Sequence, residues 1–488
     1  MFKNGKGEIW KGKPWEKVMK QKNKLLIKNT IIFAIGNIGA RIIFFFLVPL
    51  YTNFLSTEEY GISELVITLS ELIVPIVTLT IQDGVLRFGL SKNENKNDVI
   101  KNGLVIWLLG TVFLILLTPL FSFYKPISNW RWYLSAYIVL KGLFLIEMNY
   151  LKVRERNKHY AIISIVQALL LCALNIYLLA YAHLGIRGYL YANIIAFLIT
   201  DIIVIIMSKT PTSFCRGKFD KQLIIEMLRF SIPMIFTNIS WWIINSSDKI
   251  MVEAMISAAA VGLYTVAAKI PSLINGMVNI FAQAWGISAV KEYEENNDSA
   301  FYTNIYEKYS LLVFGVCIIA VSIMKPFMTI YVGNDFRQAW VYVPLLLVSA
   351  TFSAIGGFFA TLSSTIKKTS INMVTTLIGA ALNVFVNFML IPIIGIWGAV
   401  VGTVVAYFVV NISRIVIVRK YISVDINKSK LILNIVLIII HSIAVSADCY
   451  VLMTSCISCV LFVFINYKQI KIIIEKVCKK ILSKQLLS

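Results

Sequence analysis

Apolar residues in this chain come in runs of about 20, the length of a helix that crosses a bilayer. Fourteen such runs can be read: 28–50, 62–82, 99–120, 131–151, 160–182, 185–207, 224–247, 261–287, 304–324, 338–361, 370–391, 396–418, 430–447 and 449–467. Ser446–Asp448 leaves only a tight turn between the last two. The pattern predicts an all-α integral membrane protein with about 14 transmembrane helices.

Polar residues within the runs are sparse and regularly placed. The second run carries Glu64, Thr68, Glu71, Pro75, Thr78 and Gln82 at steps of 4, 3, 4, 3 and 4, which is one face of a helix. The eighth carries Thr265, Lys269, Ser272, Gly276, Asn279 and Gln283 at the same steps. The two sets coincide under a shift of 201 residues. That shift also brings Asn37 onto Asn238, Ser56 onto Ser257 and Gly61 onto Gly262. Further on the offset grows to 208–210, where Leu174-Asn175 meets Leu382-Asn383 and Gly185-Ile-Arg-Gly188 meets Gly395-Ile-Trp-Gly398.

Order and placement together indicate a duplication of six spans. The predicted lobes are 28–207 and 224–418, joined by a polar, basic linker at 208–223. Spans at 419–467 have no counterpart and form an appendage, and 1–27 and 468–488 are basic tails. Both lobes start on the same side, so the repeat is parallel, with a central cavity between the halves near mid-membrane.

Charge orients the spans. The chain holds 46 Lys and Arg against 25 Asp and Glu. Of the 46, 37 fall in the two tails or in and beside every second gap, and six in the other gaps (Lys125, Arg131, Arg187, Lys249, Lys325 and Arg337). Positive residues stay cytoplasmic, which predicts a multi-pass protein of a cytoplasmic membrane with both termini inside. An even number of spans requires the same. The net charge of +21 thus reads as topological signal and attraction to anionic lipid, not as affinity for nucleic acid.

The seven Cys are scattered, and Cys456-x-x-Cys459 lies inside a run with no second pair and no nearby His. That excludes a disulfide framework and a zinc site. No Ser/His/Asp set, Walker loop or G-x-G-x-x-G occurs, so neither an enzyme nor an ATP-driven pump is expected, and no metal or organic cofactor.

Three basic residues remain, Arg41, Lys141 and Lys269, all inside apolar runs where charge is costly. Arg41 is four residues from Asn37, on one side of its helix. Glu147 is six residues from Lys141, roughly 120° round the helix, so the two need not face one cavity. Asn238, Asn245 and the pair Asp248-Lys249 add polar groups to the seventh run, with Trp241-Trp242 between. Asp248-Lys249 falls just past the end read for that run, where a solvated charge is the ordinary case. Basic groups in a low-dielectric cavity favour an anion, and Asn, Gln, Ser and Thr suit sugar hydroxyls. The carboxylates Glu64, Glu71 and Asp248 either pair with these cations or take a coupling ion. An anionic, sugar-rich solute fits these residues best.

Ordered segments then bring a family into view. Arg229-Phe-Ser-Ile-Pro-Met through Ser240-Trp-Trp-Ile-Ile-Asn-Ser-Ser-Asp248-Lys249 resembles bacterial polysaccharide flippases of the O-antigen and capsule type. So do Ala260-Val-Gly-Leu-Tyr264, Lys269-Ile-Pro-Ser272, Phe281-Ala-Gln-Ala-Trp285, Leu382-Asn-Val-Phe-Val-Asn-Phe, Gly395-Ile-Trp-Gly-Ala and Thr52-Asn-Phe-Leu-Ser-Thr-Glu-Glu-Tyr-Gly61. That family belongs to the multidrug/oligosaccharidyl-lipid/polysaccharide exporter superfamily. The resemblance implies two six-helix lobes and alternating access, with an undecaprenyl-diphosphate-linked oligosaccharide carried from the cytoplasmic to the outer leaflet. It also implies H+ or Na+ coupling, a monomer acting beside glycan polymerase machinery, and a bacterial inner-membrane location. On that basis Arg41, Lys141 and Lys269 are diphosphate contacts, and Asn37, Gln82, Asn238 and Gln283 glycan contacts. Asn245, Asn279 and Lys249 complete the candidate lining.

Two other readings remain. An ion-coupled drug or cation exporter of the same superfamily would want an acidic or aromatic cavity; Glu64 and Glu71 suit it, Arg41 and Lys269 do not. A membrane glycosyltransferase or polymerase would want a sizeable outer loop with a catalytic constellation, and the gaps on that side are short.

Overall fold

The computed structural model describes residues 43–91, 93–295, 298–472 and Glu475. Within them it describes every side chain except those of Ile244, Met277, Asn279, Ile280, Gln283, Ala284 and Ile287. Asn37 and Arg41, and the side chains of Asn279 and Gln283, therefore lie outside the described residues.

Among the described residues the chain is nearly all helical, with no strand. The helices are α1 (Ile43–Phe54), α2 (Thr57–Val77), α3 (Ile81–Gly89), α4 (Lys96–Leu117), α5 (Lys125–Ser128), α6 (Arg131–Val153), α7 (Asn157–Asn175), α8 (Gly185–Ser208), α9 (Thr210–Arg216), α10 (Lys221–Met255), α11 (Ala258–Glu295), α12 (Ser299–Tyr331), α13 (Val343–Thr365), α14 (Ser370–Ile394), α15 (Ile396–Val418), α16 (Lys428–Ser446) and α17 (Val451–Ile465). Among the described residues, 12 helical segments are long and apolar enough to cross a membrane. Two shorter apolar helices, α1 and α17, stand where the first and fourteenth runs were read. Large apolar side chains such as Leu116, Ile206, Ile330 and Phe464 point outward, as lipid-facing residues do. The protein is a multi-pass membrane protein.

α2–α9 pack among themselves, and α11–α15 likewise, with α16 and α17 laid against α12 and α13. Lys325 on α12 grips Asp448, in the α16–α17 turn, at 2.6 Å. One end of the bundle gathers the basic turns. There Lys96 Nζ donates to Val153 O and Lys101 Nζ to Gly217 O, both at 3.0 Å. This is termed the basic end, and the opposite one is labelled the outer end. The segment read as a linker is largely helical, because α9 packs on α4.

Two helix boundaries differ from the sequence reading. The apolar run 224–247 continues as α10, 35 residues long, so Asp248 and Lys249 lie inside a helix rather than at a solvated end. Second, the polar stripe 64–82 does not stay on one helix. α2 stops after Val77, Leu79 and Thr80 take left-handed φ of 50° and 49°, and Gln82 belongs to α3. Pro75 lacks the N–H its turn would use, and Thr80 N bonds back to Pro75 O at 3.1 Å. Thr80 Oγ1 then donates to Ser231 O at 2.5 Å, which ties the break to the foot of α10.

Candidate functional site

The lobes meet where the repeat meets itself. Gly61 on α2 and Gly262 on α11 occupy equivalent positions, and each lies against the other's helix. A Cβ on Gly61 would fall 1.8 Å from Ala258 O, and one on Gly262 2.2 Å from Thr57 O. Only glycine permits that backbone approach.

One turn deeper, Glu64 of α2 is almost fully buried. Its Oε2 bonds Lys249 Nζ of α10 at 2.8 Å and its Oε1 bonds Lys269 Nζ of α11 at 3.1 Å. A single carboxylate of one lobe thus holds two cations of the other. A bare charge here would be costly, so each group makes the others tolerable. Further bonds clasp the same end. Trp242 Nε1 donates to Thr68 O at 2.8 Å, Tyr331 OH to Phe45 O at 2.7 Å, and Gly333 N to Thr52 Oγ1 at 3.0 Å. Tyr124 OH donates to the Glu253 carboxylate. Burial, with Glu253 beside it, pushes the Tyr124 phenol above its usual range, so it stays the donor.

Toward the basic end each helix turns to its own lobe. The α2 terminus packs on Gly110 and Gly142, and α11 stacks Phe281 on Tyr309 and Trp285 on Phe358. The foot of α10 crosses over, packing on α3 and α4 through Leu223 and Met227. Lys141 stands away from the clasp. Its Nζ lies 3.6 Å from Glu71, whose side chain is 48% exposed, and 5.4 Å from the Tyr137 ring.

A second polar centre sits inside the C-terminal lobe. Asp248 is 5% exposed. Its Oδ2 accepts from Tyr264 OH at 2.7 Å and Thr403 Oγ1 at 2.9 Å, and its Oδ1 from Asn387 Nδ2. Asn387 Nδ2 also reaches Asn383 Oδ1 at 3.1 Å. Gly402 leaves room for this amide, because a Cβ there would lie 2.0 Å from Asn387 Oδ1. Lys249, the next residue, points away to Glu64, and among the described residues no ion pair compensates Asp248. Buried carboxylate, amide and hydroxyl oxygens with no base beside them suit a small hard cation.

Several sequence-predicted site residues are thereby placed. Lys249, Lys269 and Glu64 come together, Lys141 joins Glu71, and Asp248 stands apart. Gln82 is buried, accepting from Thr78 Oγ1 at 3.2 Å, so its carbonyl serves the α2–α3 break rather than an open cavity. Asn245 is exposed and donates to Trp241 O at 2.7 Å in its own helix, and Asn238 is half-buried on α10. Asn383, Asn387, Thr403 and Tyr264 were not named as site residues from the sequence, although Tyr264, Asn383 and Asn387 lie in segments that carried the family resemblance. The Leu382-Asn383 match in the repeat was the available signal.

Comparisons agree with this architecture. The chain is 20% identical over 341 residues to "Lsg locus putative protein 1" of Haemophilus influenzae, covering 67% of this chain and 82% of that protein. In fold it is similar to the lipid II flippase MurJ in an inward closed conformation (TM-score 0.66, 13% identity, 90% of this chain and 99% of that one). It is also similar to an inward-facing multidrug resistance MATE family transporter of the MOP superfamily (TM-score 0.63, 13% identity, 80% of this chain and 94% of that one). The profile of the polysaccharide biosynthesis protein family matches residues 26–285, more than half of the chain, and the protein is therefore a member of that family.

Proposed function

We propose that this protein flips an isoprenoid-diphosphate-linked oligosaccharide, of the undecaprenyl type, from the cytoplasmic to the outer leaflet of a bacterial inner membrane by alternating access. The carrying observation is Glu64 holding Lys249 and Lys269 across the lobe boundary. Such a clasp shuts the outer end and can be released by an anion. A diphosphate supplies that anion: it competes for Lys141 against the half-exposed Glu71, and for Lys269 against Glu64. Clustering of basic turns at one end supports cytoplasmic termini. The Asp248 centre is where a coupling Na+ or H+ would bind, with Asn383, Asn387 and Thr403 as its neutral partners. The protein works as a monomer, beside whatever machinery polymerises the glycan.

The test is reconstitution. Proteoliposomes carrying a fluorescent polyprenyl-diphosphate oligosaccharide are quenched from outside with an impermeant reductant. Wild type should expose the inner pool faster than protein-free liposomes, and Lys141→Ala and Lys269→Ala should slow this about tenfold or more. No flipping, with export of a fluorescent cationic drug instead, would overturn the proposal in favour of a multidrug exporter.

A further inference from the structure

A cavity of about 620 Å³ opens at the basic end of the N-terminal lobe. Arg154, Lys209 and Arg216 line it, together with Asn97 and Thr212, and no carboxylate does. The fold sets these cations around it. Ser208 Oγ and Thr210 Oγ1 both donate to the buried Glu147 Oε2, at 3.0 and 2.6 Å, so both neighbours of Lys209 face inward. Lys209, between them, takes a left-handed φ of 58° and is exposed. Tyr150 OH donates to Ser213 Oγ at 3.0 Å, which pins the middle of α9 to α6. Arg154, one turn on from Tyr150, lies over its ring, 5.9 Å from the centroid. At the far end of α9 a Cβ on Gly217 would fall 2.4 Å from Asn97 O, so Arg216 is carried in against the start of α4.

No acid answers the three cations. Among the described residues no ion pair includes Arg154, Lys209 or Arg216. Of the nearby carboxylates, Glu147 is spent on its two hydroxyls, Asp98 accepts from Lys218 N at 2.7 Å, and Glu155 is exposed and makes no ion pair. Three like charges around one cavity repel one another, and an anion among them removes that cost. The cavity has an apolar side as well. Ile206 lines it and is 68% exposed. With Leu198 and Ile202 it forms an exposed stripe at steps of four along α8, which faces lipid. A soluble anion has no use for that stripe. A ligand with a phosphate head and an acyl tail matches both sides.

We propose that this cavity binds the headgroup of an anionic phospholipid from the leaflet at the basic end, one that carries two phosphates on a short linker, as cardiolipin does. Basic pockets between membrane helices at this depth take such headgroups. Lys209 and Arg216 are seven residues apart, about 10 Å along α9, a separation that two phosphates bridge more readily than one. Arg154 adds a third charge from α6. The arginines fork onto phosphate oxygens, and Lys209 serves as a point charge. Bound there, the lipid ties α9 to α6 and α8 and steadies the connection through Gly217 into α10, the helix that carries Lys249 to the clasp.

Titrating delipidated protein in neutral detergent with cardiolipin, phosphatidylglycerol or phosphatidylcholine tests this, read by thermal shift and native mass spectrometry. Cardiolipin should raise Tm saturably by about 2 °C or more and appear as one retained lipid per chain. Phosphatidylglycerol should bind more weakly at matched phosphate, and phosphatidylcholine not at all. Arg154→Gln, Lys209→Gln and Arg216→Gln should each weaken the apparent Kd about fivefold, and the triple variant should retain no lipid. Each should keep the lipid-free Tm of wild type, since the one side-chain hydrogen bond among the three is Arg154 to Tyr150 OH at 3.5 Å. Lys221→Gln, an exposed charge at the foot of α10 outside the cavity, should bind cardiolipin as wild type does. Equal loss from Lys221→Gln and Lys209→Gln would overturn the site in favour of diffuse attraction, and equal binding of phosphatidylglycerol would overturn the two-phosphate headgroup. Displacement of cardiolipin by a polyprenyl diphosphate at equal concentration would give the cavity to the transported lipid instead. Nothing is flipped in this assay, so its outcome is separable from that of the reconstitution experiment.

Discussion

Replacing Glu64 by Gln should open the outer end. The substitution keeps size and removes the one charge that holds Lys249 at 2.8 Å and Lys269 at 3.1 Å. It leaves two ammonium groups facing each other with no anion. Removing one member of a buried ion pair costs about 3–5 kcal/mol. Here the lysine side chains retain 18% and 35% exposure, so part of the charge is solvated, and about 2–4 kcal/mol is the appropriate range. That penalty falls only on the clasped arrangement, because separated lobes let both lysines reach water. The closed-to-open equilibrium should therefore shift by roughly 30- to 1,000-fold. Spin labels at Ser122→Cys and Asn334→Cys, exposed positions of opposite lobes toward the outer end, would read this as a longer distance population by pulsed electron resonance. Adding Lys249→Gln and Lys269→Gln to Glu64→Gln should restore much of the short distance, since the repulsion is then gone. A distance distribution unchanged by Glu64→Gln would refute the clasp.

Gly262→Val should have the same effect by a steric route. A Cβ only 2.2 Å from Thr57 O cannot be accommodated without moving α2 from α11, and the same labels should show separation, or the protein should lose several degrees of Tm by about 1–3 kcal/mol of overpacking. Lys325→Met is the contrasting case. Its bond to Asp448 at 2.6 Å is short, yet both side chains are about half exposed, so the change should lower stability by less than about 1 kcal/mol and leave Tm nearly unmoved.

Much of the membrane architecture was legible in the chain because the bilayer leaves few choices. Backbone polar groups must be satisfied within each span, so apolar length alone predicts helices, and alternating Lys/Arg density predicts their direction. Self-similarity at 201 residues indicated two lobes, and its equivalent glycines Gly61 and Gly262 are where the structure brings α2 and α11 together. The polar stripe was read as one continuous face, and the structure breaks it into two helices. A 3,4 spacing reports only helical phase, and cannot register two left-handed residues after Pro75. For Asp248-Lys249 the error had another source: a hydropathy boundary marks where apolar residues stop, not where hydrogen bonding stops, and α10 runs on to Met255.

Sequence by itself thus determined which residues carry unusual charge within apolar runs, and it predicts a duplication and an orientation, since these depend on composition and local period. Which charge answers which was decided only in three dimensions. Glu64 lies 185 residues from Lys249, Asp248 lies 139 from Asn387, and Thr210 lies 63 from Glu147. A carboxylate's partner is set by which helices pack together and at what depth, and no spacing along the chain contains that.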